Sequence, residues 1–468
     1  MTVQAPGATP PFMRRLAPFL LAAVMTSTAA AQDLAADAAA VRDRAMADRT
    51  AWDIAESLTS EVGARPVGTS AMTRARDWAS AKLTALGFEN VRVEPFTTKA
   101  WIRGDERAEI VGPWPQTLAI LGLGGSAPTP KGGLSAEIVV FRTYQAMLDQ
   151  PPGALKGKIA VVTQAMPRTQ DASGYGATNG QRFQGPTEAA RRGAAGYLVR
   201  SLSTDDTRLP HTGMGGWPGI PAAALSTPDA ELLERLAARG QPVIVRLEMN
   251  SRVIPQAPAW NVSGEIRGSE RPDEVIVVGG HLDSWDPGTG AIDDAAGIAI
   301  TTAAAKLAGA DRPKRTIRVV MWGSEEQGGA SEAYAKAHAE EIGRMVVVGE
   351  SDLGSGRIWR ASLPAGGLDH PAMRAFAAAV TPLGVMIART PPQHPGSDLQ
   401  ATAAAGAPFI QFGQDASRYF DLHHSADDTL DKIDPEDLAQ CAAVWASFLR
   451  VVANSEVDFR ALGKAGAP

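Results

Sequence analysis

Three observations predict an α/β fold, a mixed and mainly parallel sheet flanked by helices with a smaller second domain inserted. Apolar runs rich in β-branched residues at 274–278, 316–322 and 344–348 are followed by glycine, histidine or acidic residues, the pattern of buried strands with their polar groups at one end. Helix-like stretches separate these runs, residues 295–307 among them. Between about residues 105 and 252 the pattern changes to short apolar runs broken by Pro/Gly-rich loops, which marks a separate unit.

Taken in order, the chain opens with Arg14-Arg15, an apolar run at 16–25 and a small-residue site at Ala29-Ala30-Ala31 before Gln32. That is the layout of a secretory signal peptide, so residues 1–31 are predicted to be removed and the mature protein to be periplasmic or secreted. Met13 is an alternative start. The run is too short to span a bilayer, and no later stretch reaches the roughly 18 uninterrupted apolar residues a span needs. In the first part of the main domain (32–104), Ala75, Trp78, Ala79, Leu83 and Leu86 form a stripe at helical spacing over residues 74–86. Gly87 follows as a C-cap, and residues 91–96 read as a strand. The inserted unit (105–252) has strand-like runs at 138–141, 158–162, 197–199 and 243–247, with amphipathic stretches at 181–195 and 228–240. Residues 253–468 carry the rest of the main domain.

With 468 residues, 44% of them hydrophobic, the chain can bury one large core and a second small one. A net charge of −6 with no basic patch argues against a nucleic-acid partner. Cys441 is the only cysteine, which excludes an intrachain disulfide and a thiolate metal site. It sits in the apolar stretch 439–452 and reads as a small buried hydrophobe.

Chemistry concentrates in four short blocks. Gly-Gly-His281-Leu-Asp283 ends the first apolar run, and the Asp293-Asp294 pair opens the helix-like stretch after it. Glu325-Glu326 ends the second run, Asp352 closes the third, and His423-His424 follows a long gap. Two histidines and three carboxylates, one of them bridging, can hold two zinc ions about 3.5–4 Å apart with a water between them. Residues that leave the C-terminal ends of parallel strands collect on one edge, where open α/β sheets bind ligands. Adjacent residues leaving a strand point to different sides, so one of Glu325 and Glu326 can face a metal and the other the water. Asp283 is placed to accept the second ring N–H of His281.

At these residues the chain resembles the M28 family of zinc peptidases, and within it the carboxypeptidase Q group, over roughly residues 50–455. The resemblance implies a zinc exopeptidase fold, a protease-associated domain at 105–252, and two Zn2+ per chain. It assigns His281 and Asp352 to one zinc, Glu326 and His424 to the other, and Asp293 as the bridge, and it makes Glu325 the general base and proton shuttle. It also implies a cis peptide between Asp293 and Asp294. The segment with His394, Ser397 and Asp398 corresponds to one that lines the substrate cleft, although Asp398 could instead cap a helix. Where many relatives have a tyrosine that helps the tetrahedral intermediate, this chain has His423, so oxyanion help falls to His423 or Tyr419. His211 is a candidate to reach the cleft from the inserted domain, whereas His338 and His370 read as surface residues.

The implied activity is hydrolysis of short unblocked peptides, dipeptides above all, by a possible homodimer that needs neither nucleic acid nor membrane. The alternatives are a general aminopeptidase on longer peptides, a one-metal glutaminyl cyclase-like enzyme, and a receptor-like relative without catalysis. The complete ligand set weighs against the last two.

Overall fold

The computed structural model describes residues 1–2 and 33–465, so the signal-peptide reading lies outside the described residues. Five strands form the central sheet in the order Glu89–Ile102, Arg252–Ile266, Arg315–Trp322, Arg271–His281, Met345–Glu350. The three predicted apolar runs pair in parallel, and the two long strands beside them pair antiparallel. The sheet is therefore mixed as predicted, but its parallel pairings do not predominate. The long antiparallel pair is what carries the chain out to the inserted unit and back.

Continuous apolar runs are explained by cover on both faces. Ile276, Val278, Ile317 and Val319 belong to the core shared with helices Ala296–Ala308 and Pro435–Asn454. Their neighbours Val275, Val277, Val320 and Trp322 pack on the opposite face with Tyr334 and Met345. Each such side chain contributes about 1.5–3 kcal/mol when fully buried.

Gly279 sits opposite Val320 in the parallel ladder. A Cβ there would lie 1.8 Å from the Val320 carbonyl oxygen and 2.6 Å from the Trp322 ring. Because the obstacle is backbone of a central strand, Gly279→Ala is expected to destabilise by at least the ~1–3 kcal/mol of an overpacked core. Thermal denaturation checks this. An unchanged melting temperature would mean that the neighbouring strand yields freely.

Helix Ser70–Ala85 starts ahead of the apolar stripe because the Thr69 hydroxyl accepts from the Met72 N–H and caps it. Gly87 takes a left-handed φ of 86°, as its C-cap role requires. Residues between Ile102 and Arg252 form a second sheet of eight strands running from Glu106 to Met249, with an apolar cluster on each face. Helix Thr227–Ala237 accounts for one predicted amphipathic stretch. The other is broken into Gly180–Phe183 and Gly185–Arg191, since Pro186 lacks the N–H to continue the first and suits the first turn of the second.

Of the two histidines expected at the surface, His338 is placed otherwise and His370 is half-buried. His338 is buried, with Nε2 3.0 Å from Glu94 and Nδ1 3.2 Å from Glu341. His370 caps helix Pro371–Val380, its Nδ1 accepting from the Ala372 N–H. Cys441 is buried as expected. No helix among the described residues is long and apolar enough to cross a membrane.

Candidate metal centre and active site

His281 ends its strand between two parallel neighbours and emerges at their C-terminal edge. Its Nδ1 lies 2.9 Å from the Asp283 carbonyl oxygen, so the ring donates there and turns Nε2 toward Asp293 Oδ1 at 3.0 Å and Asp352 Oδ1 at 3.5 Å. The orienting group is thus the backbone of Asp283, not the expected carboxylate, which stands 3.7 Å away. That carboxylate accepts from the N–H groups of Glu325 at 2.9 Å and Glu326 at 3.3 Å, and so fixes the turn that presents the two glutamates.

The Asp293–Asp294 peptide is cis. The two side chains have different partners. Asp294 accepts from the His281 and Gly297 N–H groups at 3.1 and 2.9 Å and serves the backbone. Asp293 faces both histidines: its Oδ2 is 3.0 Å from His424 Nε2, which in turn is 3.2 Å from Glu326 Oε2. His424 occupies the left-handed region at φ 61°, and its Nδ1 is 3.2 Å from the Thr212 carbonyl oxygen of the inserted unit.

Both rings therefore commit Nδ1–H to a backbone carbonyl and present an Nε2 lone pair to a carboxylate oxygen. Acceptor facing acceptor at 3.0 Å is repulsive unless a cation lies between them. Asp293 Oδ2 and Glu326 Oε1 are also buried without a hydrogen-bond partner among the described residues. With no metal, protons must take that role. Burial pulls both histidines down, but Asp283, Asp293 and Asp352 hold His281 well above its ordinary range, and Glu326 with Asp293 holds His424 up at about 9. Asp293 is held well below the usual carboxylate range by the same histidines, against the effect of burial. Donor atoms within 4.8 Å of one another group as His281–Asp293–Asp352, as Asp293–His423–His424, and as His281–Glu325–Glu326. A chain of oxygen and imidazole donors without thiolate suits zinc.

Glu325 is pushed up to about 8, chiefly by burial and further by Glu326, Asp352 and Asp283, with His281 opposing. His423 stacks on His424 with ring centroids 3.5 Å apart, and its Nε2 stands 3.6 Å from Asp293 Oδ2. Burial and the His424 charge keep it neutral. Burial and the surrounding acids raise Tyr419 well above its ordinary range, so its hydroxyl stays a donor.

A cavity of about 540 Å³ opens over these groups, bounded by both units. Glu325, Glu326, Asp352, Ser397, Tyr419, His423 and His424 line it from the main domain, and Tyr175, Asn179, Arg182 and Met214 line it from the inserted unit. Of the predicted substrate contacts, Ser397, Tyr419 and His423 face the cavity. Asp398 is buried with both carboxylate oxygens unpartnered among the described residues. It caps no helix: Glu350 instead accepts from the Ser397 and Asp398 N–H groups at 3.1 and 2.9 Å. His394 is exposed and lies outside the lining. His211 lies outside the lining, with Nδ1 2.6 Å from the His423 carbonyl oxygen and Nε2 3.5 Å from Asp205. A separate cavity of about 530 Å³ near Arg357 and Asp434 is lined by none of the residues of the His/Asp/Glu cluster.

Sequence reasoning missed Glu350, Thr212, Tyr175 and Arg182. It also missed Arg65, fully buried, whose guanidinium donates to the carbonyls of Gly63, Leu282, Thr289 and Gly290 and pins the loop between His281 and Asp293. Glu350 had a visible signal in its place two residues before Asp352. Thr212 and Arg65 lie in loops, and Tyr175 and Arg182 in the short helices Ser173–Thr178 and Gly180–Phe183, none of which carries a motif.

The model of peptidase family M28 matches residues 261–449. Carboxypeptidase Q of Bos taurus is 37% identical over 412 residues, covering 85% of this chain and 84% of that protein. Carboxypeptidase Q of Homo sapiens is 35% identical over 406 residues with the same coverage. A peptidase M28 precursor from Shewanella amazonensis SB2B is 42% identical, superposes with a TM-score of 0.88, and covers 92% of this chain and 98% of its own. The zinc aminopeptidase BSAP of Bacillus subtilis, at 20% identity and a TM-score of 0.65 over 87% of this chain and 95% of its own, shares the fold. A strand-edge cluster of histidines and acids built to face a cation, together with relatedness along most of the chain, establishes that this protein belongs to peptidase family M28 and is a metallopeptidase similar to carboxypeptidase Q.

Proposed function

We propose that this chain is a two-zinc exopeptidase that cleaves short peptides next to a free N-terminus, dipeptides in particular. The observation that carries the two-metal reading is the pair of imidazole Nε2 atoms, each 3.0 Å from a different oxygen of Asp293. His281 and Asp352 would hold one ion, Glu326 and His424 the other, with Asp293 between them. His424 is preferred to His423 because its Nδ1 has an orienting carbonyl and its Nε2 is the nearer to Asp293. Bound zinc supplies Lewis-acid polarisation of the scissile carbonyl and acidifies the attacking water.

Within that frame Glu325 takes the proton of the water and returns it to the leaving amine. A base must be ionised, and cations beside Glu325 would draw it down from the raised value that burial alone imposes. Tyr419 and neutral His423 offer hydrogen-bond donors to the developing oxyanion. Asp283 holds both glutamates in register through their N–H groups.

The free N-terminus follows from charge. Glu325, Glu326 and Asp352 line the cavity beside Asp293, so this wall of the site is acidic. An α-ammonium group matches it. The inserted unit, taken as a protease-associated domain, closes over the cavity and limits ligand length. N-acetylation of a dipeptide is expected to raise KM or abolish turnover, as steady-state kinetics would measure. Equal rates on the acetylated form would reject the reading, and equal or better rates on a longer peptide with the same N-terminus would favour a general aminopeptidase. For location, the layout of residues 14–31 supports export to the periplasm or beyond.

A further inference from the structure

Arg182 is the one guanidinium or ammonium group on the cavity wall among the described residues, and it comes from the inserted unit. It is 2% exposed. None of its polar contacts is a carboxylate: Nη2 donates to the Tyr175 hydroxyl at 2.6 Å, Nη1 donates to the Thr212 carbonyl oxygen at 3.3 Å, and Nη1 also lies 3.3 Å from the His424 ring nitrogen Nδ1. Nε has no partner. No carboxylate approaches within 4.0 Å of it among the described residues. The Gly213 backbone presses against it so closely that a Cβ there would lie 2.5 Å from the guanidinium carbon. A charge so deeply buried is normally paired, because the desolvation of an isolated ion is large.

The acids of the metal cluster do not supply the counter-ion. Two divalent cations would be balanced by the carboxylates of Asp293, Glu325, Glu326 and Asp352, which leaves Arg182 uncompensated. The cavity is therefore lined by acids of the main domain and by a single guanidinium from the inserted unit. Arg182 adjoins the Nδ1 side of the His424 ring, whose Nε2 side faces Asp293 and Glu326. In a dipeptide, only the amide nitrogen and one Cα separate the scissile carbonyl from the terminal carboxylate.

We infer that Arg182 receives the C-terminal carboxylate of a dipeptide substrate, and that this is how the inserted unit selects for length. The inference rests on the dipeptide reading proposed for the site. A longer peptide would carry its terminal charge beyond Arg182 and leave a neutral amide against it. Tyr175 and Thr212 hold the guanidinium in place.

The test compares a dipeptide ending in alanine, whose terminal carboxylate is its only anion, with the same dipeptide as its C-terminal amide. In the zinc-loaded protein kcat/KM should favour the free acid by about 10- to 100-fold, the usual size of a charge-assisted contact. Arg182→Met should lower kcat/KM for the acid at least tenfold more than for the amide, through KM, and Arg182→Lys should restore part of the preference. Metal content, measured alongside, separates this from a displaced His424. Calorimetric binding of both ligands to the zinc-loaded Glu325→Gln protein gives a readout without turnover: tighter binding of the acid, lost when Arg182→Met is added, supports the assignment. A preference for the acid that survives in Arg182→Met, or none in the unaltered protein, overturns it while leaving the free-N-terminus reading intact. Equal cleavage of dipeptides and tripeptides with the Arg182-dependent preference intact would sink the dipeptide restriction and keep the carboxylate contact.

Discussion

Glu325→Gln is expected to lower turnover by at least ~10²–10⁴-fold, the typical contribution of a positioned general acid–base, with bound zinc unchanged. The substitution preserves shape and removes only the capacity to take a proton. Glu325 lines the cavity, and its N–H is tied to Asp283, so the amide should occupy the same position as the carboxylate. Glu326→Gln should behave differently, because Glu326 Oε2 lies 3.2 Å from His424 Nε2 in the cluster that faces the cation. That variant should lose zinc and activity together. Metal analysis beside kinetics decides between them, and exchanged phenotypes would mean that the base and ligand assignments are reversed.

Asp293→Ala should be the most damaging single change at the site. It removes the two oxygens that face His281 and His424, so in the proposed arrangement both metal positions would lose a ligand at once. Loss of Lewis-acid stabilisation is worth several kcal/mol of transition-state charge, about a thousandfold or more in rate. The pure, active protein is expected to contain two zinc ions per chain, to lose activity on chelation and to regain it on adding zinc. A single metal in fully active protein would sink the bridged arrangement. Asp294→Ala offers a contrast, since Asp294 touches only N–H groups and acts through the backbone of His281 and the helix that follows.

Much of the main domain is legible in the residues alone. Apolar runs covered on both faces leave little choice but a central strand, and each of those runs ends in a histidine or acid, so the strand edge and the candidate ligands are visible together. The same logic exaggerates the parallel character of the sheet, because the long antiparallel strands Glu89–Ile102 and Arg252–Ile266 are only partly buried and carry a mixed pattern. His338 escapes it for a related reason: beside the local Glu341, its partners Glu94 and Arg318 are distant in sequence, and a His/Glu pair three residues apart reads equally well as a solvated surface. His394 is drawn toward the cleft by its neighbours Ser397 and Asp398, yet side chains leaving an irregular loop have no fixed direction.

The sequence by itself determined the fold class, the family and the residue types able to bind zinc, because those depend on local periodicity and on short motifs whose spacing the backbone enforces. Only the tertiary structure decided which atom orients which ligand. Asp283 uses its carbonyl for His281 and its carboxylate for the glutamates, while Thr212 of the inserted unit orients His424. It also decided that an arginine from the short helix Gly180–Phe183 of the inserted unit lines the same cavity as the acids. Hydrogen bonds and charge compensation act over a few ångströms between segments far apart in the chain, so they become visible only when the fold has brought those segments together.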